Sequence, residues 1–344
     1  MKKIFLLAAA SLLLAACDNN DDNPQSSYQA AKITAKIDDS NQSRAINTSW
    51  DPGDVIGIHS IVGKDDEKKV IGPYFNVEYT TLNGDGTFTG DPLYFYKPMT
   101  LFAYYPFGKV GEADGPDADG IISANTLPAN QMEKEQRRID FLWDSENGFT
   151  AREPNVDFTF THRMSKITFT FRDTPSTDPK QEVLVKNIRA YEILGLGFEG
   201  TFDTYTGVCA INDPEVNDSI KIETDKAGKK FYDEVEIADN VALDPIILFP
   251  QSPGNDKVKL RLYLDELKVE NHEHQIQTYT CTLTFGDGEL KPGYSYKYTI
   301  RVTKVGLIVG EMSIEPWKVE RDVKLTSTID GSFIEGEWPD EITQ

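Results

Sequence analysis

Strict alternation of apolar and polar residues recurs along the middle of the chain. Four segments show it most clearly, at residues 156–161, 166–172, 258–264 and 295–302. In the first of them, Val156, Phe158 and Phe160 alternate with polar neighbours. A period of two places successive side chains on opposite faces of a β-strand. Each segment is therefore predicted to be a strand with one face in a core and the other in water.

Polar, glycine-rich segments separate these strands and predict turns, at residues 83–86, 286–288 and 291–293. Long amphipathic helices are not evident, and a single short helix is predicted over residues 132–139. Many short strands joined by polar turns are typical of β-sandwiches. The sequence therefore predicts an all-β fold built of antiparallel β-sandwich domains.

One polar segment that contains two prolines, residues 173–181, lies between two strand-rich halves of similar size. A chain of 344 residues is long enough for two domains. Domain boundaries fall in such polar linkers. We therefore expect an N-terminal domain over 31–175, a C-terminal domain over 182–318, and a further strand or tail over 319–344.

The first residues resemble an export signal. Lys2 and Lys3 precede a run of 13 residues, 4–16, that is apolar apart from Ser11 and is too short to cross a bilayer core of roughly 30 Å as a helix. Residues 1–16 are therefore predicted to be a signal peptide. The run ends in Leu-Ala-Ala before Cys17, which resembles a bacterial lipobox and implies lipidation of Cys17. An ordinary signal peptide with a chance cysteine is the alternative.

Residues 17–30 are predicted to comprise the lipidated cysteine and a flexible tether, because residues 18–27 offer no apolar side chain to bury. The formal net charge of −21 repels phosphates, and no basic patch offsets it, so no nucleic-acid partner is expected. Two further cysteines, Cys209 and Cys281, leave two possibilities open. They form a disulfide in an oxidising compartment, or they are small buried hydrophobes.

Segments that resemble catalytic or metal motifs have simpler interpretations. Residues 195–200 match G-x-G-x-x-G, but a strand-like segment follows where a dinucleotide site needs a helix, so a turn is predicted. Asp114, Asp117 and Asp119 depart from the EF-hand spacing and predict an acidic turn. His272 and His274 lack a partner set for zinc. We expect no cofactor, no metal and no enzymatic activity, with a hydrolase that uses paired carboxylates as a third hypothesis.

Four segments along the chain form a recognisable series. They are the W-D-P-G-D-V-I-G-I segment at 50–58, Y-Y-P-F at 104–107, the strands at 158–171, and the L-K-P-G-Y segment from 290 that leads to Trp317. In this order they resemble the fimbrillin family of Bacteroidales surface proteins. The resemblance implies two transthyretin-like β-sandwiches and an outer-membrane lipoprotein precursor at the cell surface. It also implies proteolytic maturation and assembly by strand exchange with other fimbrial subunits, in support of adhesion to a host protein or glycan.

The resemblance also implies a cleavage site in an early loop, and Arg44-Ala45 lies in a polar segment that fits it. An ordinary loop arginine is the alternative. Cleavage there would release a first strand in which Ile33, Ala35 and Ile37 alternate with polar residues. Its loss would leave an apolar groove between unpaired strand edges, which is a template for another chain.

A candidate donor strand follows Trp317, where four apolar residues share one parity: Val319, Val323, Leu325 and Ile329. Arg321 and Ser327 interrupt that face. The alternative is that this segment is the last strand of its own domain. The leading hypothesis is a polymerising fimbrial subunit. The alternative is a non-polymerising anchor, tip or cap adhesin, or a surface lipoprotein that binds glycan or host protein.

Overall fold

The computed structural model describes residues 29–38, 49–62, 72–96, 99–132, 135–147, 149, 154–173, 184–223, 235–237, 241–254, 256–268, 273–303 and 306–317. Within them the backbone forms twenty β-strands: β1 Lys32–Ile37, β2 Val55–Val62, β3 Val77–Thr80, β4 Thr87–Gly90, β5 Met99–Tyr105, β6 Ile121–Asn125, β7 Leu142–Asn147, β8 Asn155–His162, β9 Ser165–Asp173, β10 Leu184–Leu196, β11 Glu199–Asp203, β12 Val208–Ile211, β13 Asp218–Glu223, β14 Val235–Glu236, β15 Val241–Ala242, β16 Ile246–Leu248, β17 Lys259–Lys268, β18 Glu273–Thr282, β19 Tyr294–Val302 and β20 Leu307–Pro316.

The all-β class is confirmed, and the four alternating segments coincide with β8, β9, β17 and β19. The helix predicted over 132–139 is confirmed only in part. A short 3₁₀ helix, Gln136–Arg138, lies within this range, and a second, Pro128–Gln131, precedes it. Bonds such as Arg138 N–H to the Glu135 carbonyl and Ile139 N–H to the Gln136 carbonyl join residues three apart, as in a 3₁₀ turn. In the part of the chain that the structure describes, no helix is long and apolar enough to span a membrane.

The first half is a closed ring of hydrogen-bonded strands in the order β1-β4-β3-β2-β5-β7-β8, with β8 returning to β1. Its core combines side chains from every side of the ring, including Trp50, Ile58, Tyr79, Phe88 and Phe158. The strand β1 runs antiparallel to β4 but parallel to β8. The prediction of purely antiparallel pairing is therefore wrong at this point, and also between β9 and β19. Neither pair is joined by a hairpin, so no turn dictates an antiparallel direction.

The second half consists of two sheets that share one core. One has the order β13-β10-β17-β18 with β14 also on β10, and the other has the order β15-β9-β19-β20 with β16 also on β9. The core includes Phe169 and Phe171 of β9 beside Ile188, Leu264 and Tyr298. The domain junction expected after residue 175 stays a prediction. The pairing of β9 with β19 argues for a boundary nearer the start of β9.

A third sheet joins the two halves, in the order β12-β11-β6. Its strand β6 comes from the first half of the chain, and β11 and β12 come from the second. A separate apolar cluster packs around it, in which the rings of Phe141 and Phe202 stack with centroids 4.5 Å apart. The two halves are therefore connected by backbone pairing as well as by side-chain packing.

Candidate functional site

The strand β1 is hydrogen-bonded along both of its edges. It pairs with β4 through Ile33↔Phe88 and with β8 over its whole length. Bonds of 2.8 Å continue both ladders, from the Ala35 N–H to the Gly86 carbonyl and from the Asp38 N–H to the Phe160 carbonyl. Because both edges are bonded, removing β1 would expose two unpaired strand edges at once.

The predicted apolar face of β1 is buried as the alternation indicated. Ile33, Ala35 and Ile37 are buried in the ring's core, whereas Lys32 and Lys36 are exposed. Burial of each isoleucine stabilises the fold by about 1.5–3 kcal/mol. The groove between β4 and β8 that β1 fills is called the β1 groove below. It is apolar at its floor and bordered by strand edges, which suits it to an alternating strand and to few other ligands.

Trp50, two residues after the segment 39–48, fixes β1 from the side. Its indole Nε1 donates a 2.8 Å hydrogen bond to the Ala35 carbonyl. Its ring meets the rings of Phe88 and Phe160 edge-on, with centroids 5.1 and 5.3 Å apart. The sequence identified Trp50 only as part of a family-like motif. Its contact with β1 depends on the tertiary structure.

Gly86 allows the β1 backbone to approach closely. Its φ is +80°, and a Cβ at this position would lie 2.5 Å from the Ala35 carbonyl oxygen. A side chain here would therefore be strained by the backbone conformation and would also displace β1. The Asn-Gly-Asp-Gly sequence predicted a turn here, but it gave no sign that Gly86 faces another strand.

The other predicted site residues lie outside the described residues. These are Cys17, Arg44, Ala45, Val319, Val323, Leu325 and Ile329. In sequence, Arg44 and Ala45 fall between the described Asp38, at the end of β1, and Ser49. The structure thus describes β1, but it does not test the displacement of this strand, the cleavage site, the lipid anchor or the donor strand.

Trp317 is the last described residue before the C-terminal tail, and it is firmly held. Its ring stacks on His162 with centroids 4.1 Å apart and 5° between the planes. His162 in turn lies 2.7 Å from Asp140 through its Nδ1 atom. His162 ends β8, two residues beyond Phe160, which pairs with Ile37 of β1. Trp317 therefore lies beside the end of β8 at which β1 also ends.

Catalytic chemistry finds little support in the described residues. Gly195, with a φ of +92°, lies at a register irregularity near the end of β10 rather than in the predicted turn, and β11 follows where a dinucleotide site would need a helix. Asp117 accepts hydrogen bonds from the N–H groups of Asp119 and Ile121, as in an acidic turn. No group of three metal-ligating side chains is found among the residues that the structure describes.

The two cysteines in the described region are free thiols in different surroundings. Cys209 lies in the cluster between the halves, and Cys281 packs against the core of the second half. Burial raises the pKa of the Cys281 thiol to about 11 and that of the Cys209 thiol further still. Both therefore stay protonated and unreactive at neutral pH.

Comparison with known proteins finds one family model and several solved structures that match this chain. A fimbrillin-like family model matches residues 43–317. A crystal structure named as a candidate cell adhesion protein of Bacteroides ovatus is 24% identical, with 85% of this chain and 99% of that chain covered and a TM-score of 0.59. A fimbrial protein of Bacteroides vulgatus is 14% identical over 84% of this chain and 100% of that chain, with a TM-score of 0.56. No curated protein sequence matches significantly.

The structural likenesses show a shared fold, and the family model covers most of the chain. The protein belongs to the fimbrillin-like family. Membership of the fimbrillin-like family implies a location at the cell surface.

Proposed function

We propose that the protein is a structural subunit of cell-surface fimbriae that polymerises by strand exchange. In this proposal it is exported as an outer-membrane lipoprotein through Cys17 and is cut between Arg44 and Ala45. Each half would correspond to one transthyretin-like domain of the family. The partners are other fimbrial subunits, and no catalytic role is proposed.

The observation that carries the proposal is the position of β1. This strand is a short N-terminal segment, yet it supplies three buried side chains to the core of the ring. It also closes the ring, because it pairs with β4 along one edge and with β8 along the other. A cut at Arg44 would leave β1 held by non-covalent contacts alone. Another strand with the same alternation could then take its place in the β1 groove.

A donor strand from a second subunit fits the chemistry of the β1 groove. The tail after Trp317 carries four apolar residues of one parity, and their burial could contribute roughly 6–12 kcal/mol before the cost of ordering the tail. Trp317, the residue before the tail, lies beside the end of β8 that borders the β1 groove. One chain would therefore carry both the groove that accepts a strand and the tail that supplies one.

The test uses protein that starts at Asp18, treated with an Arg-specific protease and analysed by SDS-PAGE without boiling. We expect a new N-terminus at Ala45 and a ladder of oligomers. Deletion of the residues after Trp317 should abolish the ladder without affecting the cut, and Arg44→Ala should prevent both. Cut protein that stays monomeric would contradict polymerisation and favour an anchor, a tip adhesin or an isolated lipoprotein.

A disulfide that locks β1 gives a sharper version of this test. Thr34 and Thr87 are direct partners on β1 and β4. The neighbouring pair is bonded through the Ala35 N–H and the Gly86 carbonyl, so the threonines form a non-bonded pair with Cα atoms about 4.5 Å apart, within disulfide range. Protein with Thr34→Cys and Thr87→Cys should be cut normally yet polymerise only after reduction. The single Thr34→Cys variant is the matched control and should polymerise with or without reductant.

A further inference from the structure

Three ionisable side chains meet at one end of the core in the second half. Lys186 on β10 and Glu266 on β17 are direct cross-strand partners, one step beyond the apolar pair Ile188 and Leu264. Lys186 and Glu266 are only 4% and 5% exposed. They therefore continue the core-facing row of their sheet, at positions where apolar side chains are expected.

The third group comes from the opposite sheet. Asp173 ends β9, two residues beyond Phe171, so its side chain lies on the same core-facing side. Its Oδ1 atom is in direct contact with the Nζ atom of Lys186. The Asp173 side chain is 21% exposed, against 5% for the Lys186 side chain. A lysine of one sheet is thus held against an aspartate of the other, with a second carboxylic acid opposite the lysine.

Burial makes the ionised form of this group costly. The free-energy cost of removing two charges from water often exceeds the gain from their mutual attraction. Burial also raises the pKa of Glu266 above its usual range, although the Lys186 ammonium opposes the shift. A raised pKa makes the Glu266 carboxyl group a better proton acceptor than an exposed glutamate, so it can take up a proton beside Lys186 and pass it on.

We propose that Lys186 and Asp173 condense to an intramolecular amide, an isopeptide bond that joins β10 to β9, with Glu266 as the proton-transfer group. The inference does not depend on the proposed function. The bond would close a covalent loop that includes the segment 174–183 between the two strands. Cleavage of that segment would then leave both halves of the chain connected.

The reaction balances without any co-reactant. A proton passes from the Lys186 ammonium to the Asp173 carboxylate, giving a neutral amine and a carboxylic acid. The amine Nζ attacks the carboxyl carbon of Asp173, and Glu266 donates a hydrogen bond to the carboxyl oxygen. The nitrogen loses a proton, the hydroxyl group gains one and departs as water, and a C–N bond remains. The fold holds the reacting groups in contact, which supplies the high effective concentration that the step needs.

The test is mass spectrometry of the folded full chain, which should weigh less than its sequence predicts by one water molecule. Trypsin normally releases residues 173–180, 181–186 and 187–189 as separate peptides. The amide blocks cleavage after Lys186, so we expect one branched product that joins residues 173–180 to residues 181–189. Lys221, bonded to Glu223 at 2.7 Å but exposed, is the internal control and should be cleaved normally.

Variants separate the bond from an ordinary ion pair. Lys186→Arg preserves the positive charge but should restore the full mass, and Asp173→Ala should do the same. Glu266→Gln should slow bond formation by about 10²-fold or more, measured as the cross-linked fraction against time in protein whose folding is verified by circular dichroism. Folded wild-type protein with full mass and complete recovery of the 181–186 peptide would overturn the inference. A mass deficit that persists in Lys186→Arg would also overturn it.

Discussion

At the scale of single residues, the β1 groove depends on positions that have no obvious chemistry. Gly86 permits the approach of the Ala35 carbonyl, and Trp50 donates a hydrogen bond to the same oxygen. The Ala35 carbonyl oxygen is thus hydrogen-bonded by Trp50 and lies close to the Gly86 backbone. The sequence predicted a turn at residues 83–86, but the role of Gly86 arises only because β1 folds against it.

Gly86→Ala should destabilise the protein more than Gly111→Ala. Both glycines have similar positive φ values, +80° and +78°, but a Cβ at Gly111 meets nothing within 4 Å. Left-handed strain alone should cost Gly111→Ala about 1–2 kcal/mol of unfolding free energy. Gly86→Ala should cost about 3 kcal/mol or more, because β1 must also move. Urea denaturation measures both, and equal losses would show that the contact with β1 is unimportant.

At the scale of elements, local pattern and pairing carry different information. The alternation predicted β8, β9, β17 and β19, as well as the buried face of β1. It did not predict that β1 runs parallel to β8, nor that β9 belongs with β19. Periodicity reports which face of a strand is apolar, whereas the neighbour of a strand is chosen by contacts distant in sequence.

The strand β6 offers a test of how the two halves are joined. Its ladder with β11 has a hydrogen bond at each end. One runs from the Thr126 N–H to the Phe198 carbonyl, and the other from the Thr204 N–H to the Gly120 carbonyl. Bonded pairs alternate along an antiparallel ladder, so the Ala124 N–H points toward β11 and the Ser123 N–H points away.

Ala124→Pro should therefore lower the unfolding free energy by about 3 kcal/mol, because it removes a ladder bond. Ser123→Pro, one residue away on the open edge of the strand, should cost much less. Urea denaturation compares the two variants, and limited proteolysis shows whether the halves separate first. Similar losses in both variants would mean that the β6–β11 ladder does not hold the halves together.

At the scale of the whole molecule, aromatic packing joins the halves around a buried histidine. His59 of β2 lies between the rings of Tyr104 and Tyr205, with centroids 5.6 and 4.7 Å away. Tyr205 belongs to the turn between β11 and β12, so this contact crosses from one half to the other. Burial lowers the pKa of His59 to about 4, and the Asp203 carboxylate opposes the shift only in part.

The protein should lose stability in acid through His59. Between its unfolded pKa of 6.5 and its folded pKa of about 4, the unfolded chain binds more protons than the folded one. The part of the unfolding free energy that depends on neutral His59 is therefore fully present above pH 6.5. It is lost as the pH falls from 6.5 to about 4. It amounts to about 3 kcal/mol, since each pKa unit corresponds to about 1.4 kcal/mol.

His59→Gln is the matched variant, because its amide does not titrate and all other ionisable groups are retained. The difference in unfolding free energy between wild type and variant should shrink as the pH falls through this window. Denaturation at several pH values measures it. A difference that stays constant with pH would contradict the role assigned to His59.

The sequence by itself determined the all-β class, the strands with strong alternation, the glycine turns and the resemblance to fimbrillins. These properties are local, because a period of two and a turn residue act on a few neighbouring positions. Only the tertiary structure decided that β1 closes a ring beside β8, that β9 joins the second half, and that Lys186, Asp173 and Glu266 meet. Those outcomes depend on which distant strands pair and in which register, and the packing of the whole chain fixes that choice.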